Sequence, residues 1–467
     1  MNKYKRLGKN LLLLLTGNFV TKILSFLMVP FYTSILTTSD YGTADLISTT
    51  VLLVLPFFSV LMDEAIMRFT LDTAKDKKQV FTIAVVISTF GFILAMCVSP
   101  IIFLFDTLRK YYWFVIFYYI SLWLYNVFSN YVKGLDKISI TTIAGVIHTF
   151  LYLGINIIGL SILNWGVYGY LLAIDLSNLF AALFLLFYCK LYRNFIPLRK
   201  LDISLMKEMI KYSVPMIPDY ISWWINNVSD RYILAMFCGT SVTGIYSVAY
   251  KIPTILNSVT SIFSSAWKIS SVENFGSKES INFYNRIYRL YSGFLLISSA
   301  GLIFITRGLA RLLFAKGFFE AWEITPILIL AYVFSAQAIF LGSIFTASKK
   351  TKTLFFASMI GAVVNIGLNC VLIPKWKGTG AAIATAIGYM VILAINMVMT
   401  YRIIKIDFMI MRNLLCYCLL IIEIISVLSA SLMGIVIAFG CVIGIMLLNV
   451  KEFVFLAKRI TDRSAQK

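Results

Sequence analysis

Fourteen stretches of the chain are apolar over about twenty residues or more, the length a helix needs to cross the hydrocarbon core of a bilayer. They run approximately over 11–36, 42–67, 80–105, 112–132, 142–162, 167–189, 212–237, 243–267, 287–306, 325–347, 353–373, 379–401, 410–430 and 432–450. Inside lipid every backbone N–H and C=O needs an internal partner, which leaves helices and closed barrels, and stretches this long select helices. The chain therefore reads as an all-α polytopic membrane protein with about 14 transmembrane helices. Composition agrees, with 60% hydrophobic and 13% charged residues. The opening "MNKYKRLGKN" and its five following leucines resemble a signal peptide. No small-residue cleavage site follows, and the apolar run continues to Leu36, so this segment reads as a retained first span.

Cytoplasmic loops retain Lys and Arg, and short exported loops carry few. With a cytoplasmic N-terminus, 31 of the 41 basic residues fall on the cytoplasmic side and 7 on the other. Both termini and the basic 190–211 linker are then cytoplasmic. The net charge of +20 is accounted for by loops facing anionic headgroups, so no nucleic acid is needed to explain it. The seven cysteines lie in or beside apolar stretches with no Cys-x-x-Cys, and the only histidine is His148, which argues against a metal site or a Ser-His-Asp hydrolase. No Asp-x-Asp motif or Gly-rich phosphate loop occurs, and the longest exported segment, about 307–324, is too short for a catalytic domain. The chain does not read as an enzyme.

A faint repeat divides it. "TTSDYG" between spans 1 and 2 resembles "GTSVTG" between spans 7 and 8, at an offset of 202. "LNWGVYG" (163–169) resembles "PKWKGTG" (374–380), with Trp165 and Gly169 matching Trp376 and Gly380 at an offset of 211. Six spans separate equivalents, so both copies share one orientation. The expected domains are 1–200, 201–405 and a 406–467 appendix of two further helices and a basic tail. Pro30, Pro56, Pro215, Pro218 and Pro253 fall in the repeat-equivalent spans 1, 2, 7 and 8, and are expected to kink them. Gly380, Ala384 and Gly388 form a small-residue stripe suited to close helix packing. The stretch "KESINFYNRIYRLY" (278–291) reads equally well as an interfacial helix or a solvated loop.

Three cations are left inside spans: Lys22, Arg231 and Lys251. Arg231 sits in "SWWINNVSDRYILAMFCG" (222–239) beside Asp230, which points about 100° away on a helix, so the two do not neutralise each other across one face. An embedded charge costs about 2.5–3.5 kcal/mol on insertion scales, which argues for a role. Each cation either pairs with an embedded acid, among Asp45, Asp63, Glu64, Asp175, Asp219, Asp230 and Glu423, or meets a ligand. The carboxylates are proton sites, sodium sites or counterions, and Asp45 and Asp175 are the ion-coupling candidates. The sequence does not name the ion.

"MVPFYTSILTTSDYGTADL" (28–46), "AIMRF" (65–69) and "YSVPMIPDYISWWINNVSDRYILAMFCGTSVTGIYSVAYKI" (212–252) resemble the Wzx-type polysaccharide and O-antigen flippases of the multidrug/oligosaccharidyl-lipid/polysaccharide (MOP) exporter superfamily. The resemblance implies two pseudo-symmetric six-helix bundles around a central cavity, plus two C-terminal helices. It also implies transport of an undecaprenyl diphosphate oligosaccharide from the cytoplasmic to the outer leaflet of a bacterial cytoplasmic membrane, for capsule or O-antigen export, alongside a polysaccharide polymerase and export machinery. Such a headgroup needs a cationic, polar path. Lys22, Arg231 and Lys251 supply charge, arginine in the bidentate form that suits phosphate, and Asn18, Asn226, Asn227 and Tyr250 add hydrogen bonds. The alternative is an ion-coupled multidrug exporter of the same superfamily, which favours acidic over basic lining.

Overall fold

The computed structural model describes residues 24, 26–72, 74–275, 280–348, 350 and 352–465, with the side chains of 219, 269, 273, 280 and 451–465 left out. It is all helix among these residues. In chain order the helices are α1 (Val29–Ile35), α2 (Thr38–Ser59), α3 (Met62–Thr70), α4 (Lys77–Val98), α5 (Tyr112–Gly134), α6 (Ile138–Asn156), α7 (Val167–Tyr188) and α8 (Ile203–Ser213). There follow α9 (Ile217–Ala249), α10 (Pro253–Asn274), α11 (Ser280–Leu313), α12 (Ala321–Ala347), α13 (Lys352–Tyr401), α14 (Ile410–Leu428) and α15 (Leu432–Ala465). Among the described residues, ten segments are long and apolar enough to cross a membrane. The fifty-residue α13 holds two of the expected spans, and most of span 1 lies outside the described residues. Span 4 forms α5, and span 8 is divided between the end of α9 and α10; α5 is rich in tyrosine and α10 in serine, which makes them less apolar than the other spans.

The chain forms two compact units, Met1–Trp224 and Ile225–Lys467, dividing inside α9. In the first, Met62, Ile66, Phe81, Ile83 and Tyr131 are fully buried in a core built on α2 to α7. The segment before α8 is laid along the same unit: Gln79 donates to the Lys200 carbonyl at 2.9 Å and accepts from the Asp202 N–H at 3.1 Å. In the second unit α12 is the central helix, buried along most of its length and packed on α10, α11 and α13. Of the 278–291 stretch, read as either an interfacial helix or a solvated loop, residues 280–291 are the first turns of the continuous α11, and Tyr284 and Tyr288 there are fully buried.

Helix starts follow from local chemistry. Thr37 and Asp40 form a reciprocal capping box at the start of α2. Proline use corrects the expected kinks. Pro30 and Pro253 fall in the first turns of α1 and α10, and Pro215 in the first turn of the short 3-10 helix Val214–Met216, where a missing N–H costs nothing. Pro218 is the second residue of α9, and only Pro56 of the five is interior. The breaks come elsewhere. Gly239 (φ 83, ψ 172) interrupts α9 and Lys377 (φ 47, ψ −128) interrupts α13. Val60 and Leu61 separate α2 from α3 in left-handed conformation.

The repeat has a backbone signature. Gly166, at the turn before α7, has φ 53 and ψ −130, nearly the values of Lys377, its equivalent at an offset of 211. Four chain positions on from Trp165 and Trp376, the glycines also match in use. A Cβ on Gly169 would lie 3.0 Å from the Gly159 backbone, and one on Gly380 would lie 2.5 Å from the Leu372 carbonyl oxygen. Both copies thus turn on a positive-φ residue and bring a glycine against the backbone of the preceding helix.

Candidate functional site

The most connected polar group inside the apolar helices is centred on Asp230, in the "SDRY" stretch of α9, which is 1% exposed. Its Oδ2 accepts from the hydroxyls of Tyr246, of Tyr250 at 3.3 Å and of Thr385 at 3.3 Å. Tyr246 and Tyr250 are one turn apart, on the far side of the Gly239 break, so both hydroxyls reach one carboxylate. The network continues into α13: Asn365 Nδ2 donates to Thr385 Oγ1 at 3.4 Å, and Asn369 Nδ2 to Asn365 Oδ1 at 3.0 Å. Asn365, Asn369 and Thr385 are fully buried or nearly so. Asn365 and Asn369 lie before the Lys377 break and Thr385 after it, so the network joins both parts of α9 with both parts of α13.

Arg231 leaves α9 in a different direction from Asp230, and its guanidinium carbon lies 5.3 Å from the centre of the Tyr250 ring, a cation–π distance. One side chain thus serves both charges, its hydroxyl toward Asp230 and its ring face toward Arg231. Asn227 accepts from the Tyr389 hydroxyl at 2.8 Å, and Asn226 donates to the Ser358 carbonyl at 3.1 Å. Lys251 occupies the non-helical turn between α9 and α10, its N–H bonded to the Val248 carbonyl at 2.9 Å. The structure therefore brings Arg231 together with Tyr250, and Asn227 together with Tyr389. Asn226 holds the start of α13. Lys22 and Asn18 lie outside the described residues.

The two ion-coupling candidates are in the first unit. Asp175 of α7 is 1% exposed, and its Oδ2 has no hydrogen-bond partner among the described residues. Ser177, on the same helix, meets His148 Nε2 at 3.2 Å, and that ring is stacked against Tyr125 and Tyr152 with centroids 5.6 and 6.4 Å away. Asp45 is half-buried on α2.

As a donor set, the Asp230 group offers a carboxylate, hydroxyls and amide oxygens, with no thiolate or imidazole. Asn369 Oδ1 is buried without a hydrogen-bond partner among the described residues. Hard oxygen donors of this kind fit a proton or an alkali cation and exclude a soft metal. No cluster of three or more His, Cys, Asp or Glu occurs among the described residues. Tyr246 falls within the family-like 212–252 stretch without standing out as a site residue, and Thr385, Asn365, Asn369 and Tyr389 carry no local sequence signal, since an apolar helix with one amide or hydroxyl is ordinary. Their meaning comes from positions 16 to 155 residues away along the chain.

Two repeat-related helical units, with charge held inside apolar helices, define a class: polytopic membrane transporters. Solved structures with this fold include the lipid II flippase MurJ in an inward closed conformation, 14% identical, with TM-score 0.71 and 94% of this chain and 99% of that one covered. An inward-facing multidrug resistance MATE transporter is 15% identical, with TM-score 0.61 and coverages of 82% and 97%. A MOP superfamily transporter from Pyrococcus furiosus, whose binding pocket is described as of reversed polarity, is 14% identical, with TM-score 0.55 and coverages of 85% and 94%. The chain belongs to the polysaccharide biosynthesis protein family, whose model matches residues 7–267. Residues 268–452 match the model of the lipid II flippase MurJ. No curated protein matches.

Proposed function

We propose that the protein is a flippase that carries a lipid-linked oligosaccharide, with an undecaprenyl diphosphate anchor, from the cytoplasmic to the outer leaflet of a bacterial cytoplasmic membrane for cell-surface polysaccharide export. The observation that carries the proposal is Arg231, a guanidinium kept within an apolar helix against the Tyr250 ring, in a chain of the polysaccharide biosynthesis family. A diphosphate cannot enter hydrocarbon unaided, and a planar guanidinium offers it paired donors. Lys251, twenty residues further along the same chain segment, adds a point charge, and Asn227, with Tyr389, suits hydroxyl-rich sugar. The lipid tail needs no protein path, because it remains in the bilayer throughout.

Asp230 is the coupling group in this reading. A carboxylate ringed by hydroxyls, next in sequence to the cargo-facing cation, gains or loses a proton or an alkali cation at a site one side chain away from Arg231. Tyr250 links the two, so occupancy at Asp230 changes the setting of the guanidinium. Alternating access needs no ATP site. Both termini are cytoplasmic in this scheme, as the distribution of basic loops requires.

The test is to deplete the protein in its native cell and determine the mass of the lipid-linked material that accumulates. A diphosphate-linked oligosaccharide building up in the inner leaflet supports the flippase. Unchanged lipid-linked pools, together with raised sensitivity to cationic drugs, support a multidrug exporter and refute it.

A further inference from the structure

Glu423 belongs to neither group described above. It lies on α14, one of the two helices outside the six-helix repeat, and is fully buried. Neither carboxyl oxygen has a hydrogen-bond partner among the described residues. The buried face of α14 runs through Arg412, Cys416, Leu420, Glu423 and Val427, and it packs against α15, α11 and α12. On α15 the matching face carries Cys441, Ile445 and Asn449. Asn449 lies 3.5 Å from Cys416 Sγ. Two antiparallel helices that pair 416 with 449 set Glu423 level with Cys441, the one titratable side chain described on α15.

The charged groups of the surrounding helices are committed elsewhere. Arg412, on α14 itself, donates to Ser292 at 2.5 Å and to Asn413 at 3.1 Å, three turns from Glu423. On α11, Arg289 is paired with Asp407, and Arg307 lies over the Trp322 ring at 5.1 Å. Arg286 and Arg311 lie near the two ends of that helix, and α12 carries only Glu323, in its first turn. None of these forms an ion pair with Glu423.

An ionised carboxylate without donors or a counter-charge is not held in such surroundings, because desolvation far exceeds any compensation. The neutral acid is tolerated there at much lower cost. We infer that Glu423 is a proton-binding site formed by the α14–α15 pair, loaded when the pair is closed and able to release its proton only where the pair admits water. The chemistry is the reversible addition of one proton to one carboxylate oxygen, with no other bond changed. This site is independent of the role given to Asp230 and of the nature of the cargo.

The experiment is infrared difference spectroscopy of the purified full-length protein in lipid at pH 8, wild type against Glu423→Gln, with hydrogen–deuterium exchange to mark carboxylic C=O bands. A protonated-carboxyl band present in the wild type and lost in Glu423→Gln is expected. Glu423→Gln should keep wild-type thermal stability, because it reproduces the neutral form, whereas Glu423→Lys should be strongly destabilised. A carboxylate band assigned to Glu423 at pH 8, in place of the acid band, overturns the inference. So does a Glu423→Gln protein whose stability falls as far as that of Glu423→Lys.

Discussion

The Tyr246 hydroxyl donates to Oδ2 of Asp230 across the Gly239 break, joining the two parts of α9 through a side chain where the helical conformation is interrupted. The bond reaches a buried carboxylate, so its loss is costly on two counts: the donor is gone and the acceptor is left short of one partner. Tyr246→Phe is therefore expected to lower stability in detergent by about 1.5–3 kcal/mol. Asp230→Asn keeps the shape but removes the charge, and should abolish the response of transport to an imposed proton or sodium gradient. The two variants separate architecture from coupling when thermal unfolding and gradient-driven transport are read on each.

Arg231 tests whether charge or geometry matters at the cargo. Arg231→Lys retains the charge and loses the fork that grips phosphate oxygens, so part of the activity should remain. Arg231→Gln should lose about tenfold or more, a change of at least ~1.4 kcal/mol. Transport must be normalised to the amount of protein in the membrane. A purely structural arginine would instead be rescued when Asp230 is neutralised along with it.

The repeat makes a prediction that reaches from one unit to the other. Gly166 and Lys377 share nearly the same φ and ψ, but only the first is a glycine, and the conformation has positive φ with strongly negative ψ, which side chains disfavour. Lys377 is exposed, so its replacement removes no packing. Lys377→Gly should stabilise the protein by about 1 kcal/mol, and Gly166→Lys should destabilise it by about 1–3 kcal/mol. Thermal melts of the two single variants decide this.

Much of the fold was legible because hydropathy is local: a run of apolar residues is a span whatever surrounds it. The repeat was also legible, since Trp165–Gly169 and Trp376–Gly380 preserve their spacing. The breaks were not. Proline drew attention to α1, α9 and α10, where it sits harmlessly in first turns, whereas α13 bends at Lys377, a residue type with no turn preference. The site was half legible. Arg231 and Tyr250 stand out as polar residues in apolar sequence. In the sequence Asp230 is one of seven embedded acids with nothing to set it apart, and Thr385, 155 residues further along, acquires its role purely from helix packing.

A pH effect is expected at the surface of the second unit, where Asp407 accepts from the Met409 N–H at 3.0 Å and from Arg289 at 2.6 Å. The backbone donor, chiefly, and then the arginine hold its pKa below the ordinary aspartate value. A lowered folded-state pKa contributes stability that is complete above the unfolded value, about 4, and is lost as pH falls through the lowered one. Asp407→Asn should therefore flatten the acid limb of the stability profile below about pH 4 and leave neutral pH nearly unchanged, because the pair is largely exposed. Melting temperatures of both proteins across the acid range provide the check.

The most direct measurement is transbilayer movement of a purified, labelled undecaprenyl diphosphate oligosaccharide in proteoliposomes holding only this protein, read by the accessibility of the sugar to an impermeant reagent. A flippase moves the lipid-linked sugar with wild-type protein, responds to an imposed ion gradient, and loses that response in Asp230→Asn and most of its movement in Arg231→Gln. Liposomes in which the lipid-linked sugar stays in its original leaflet, while a cationic drug is transported, would contradict the assignment.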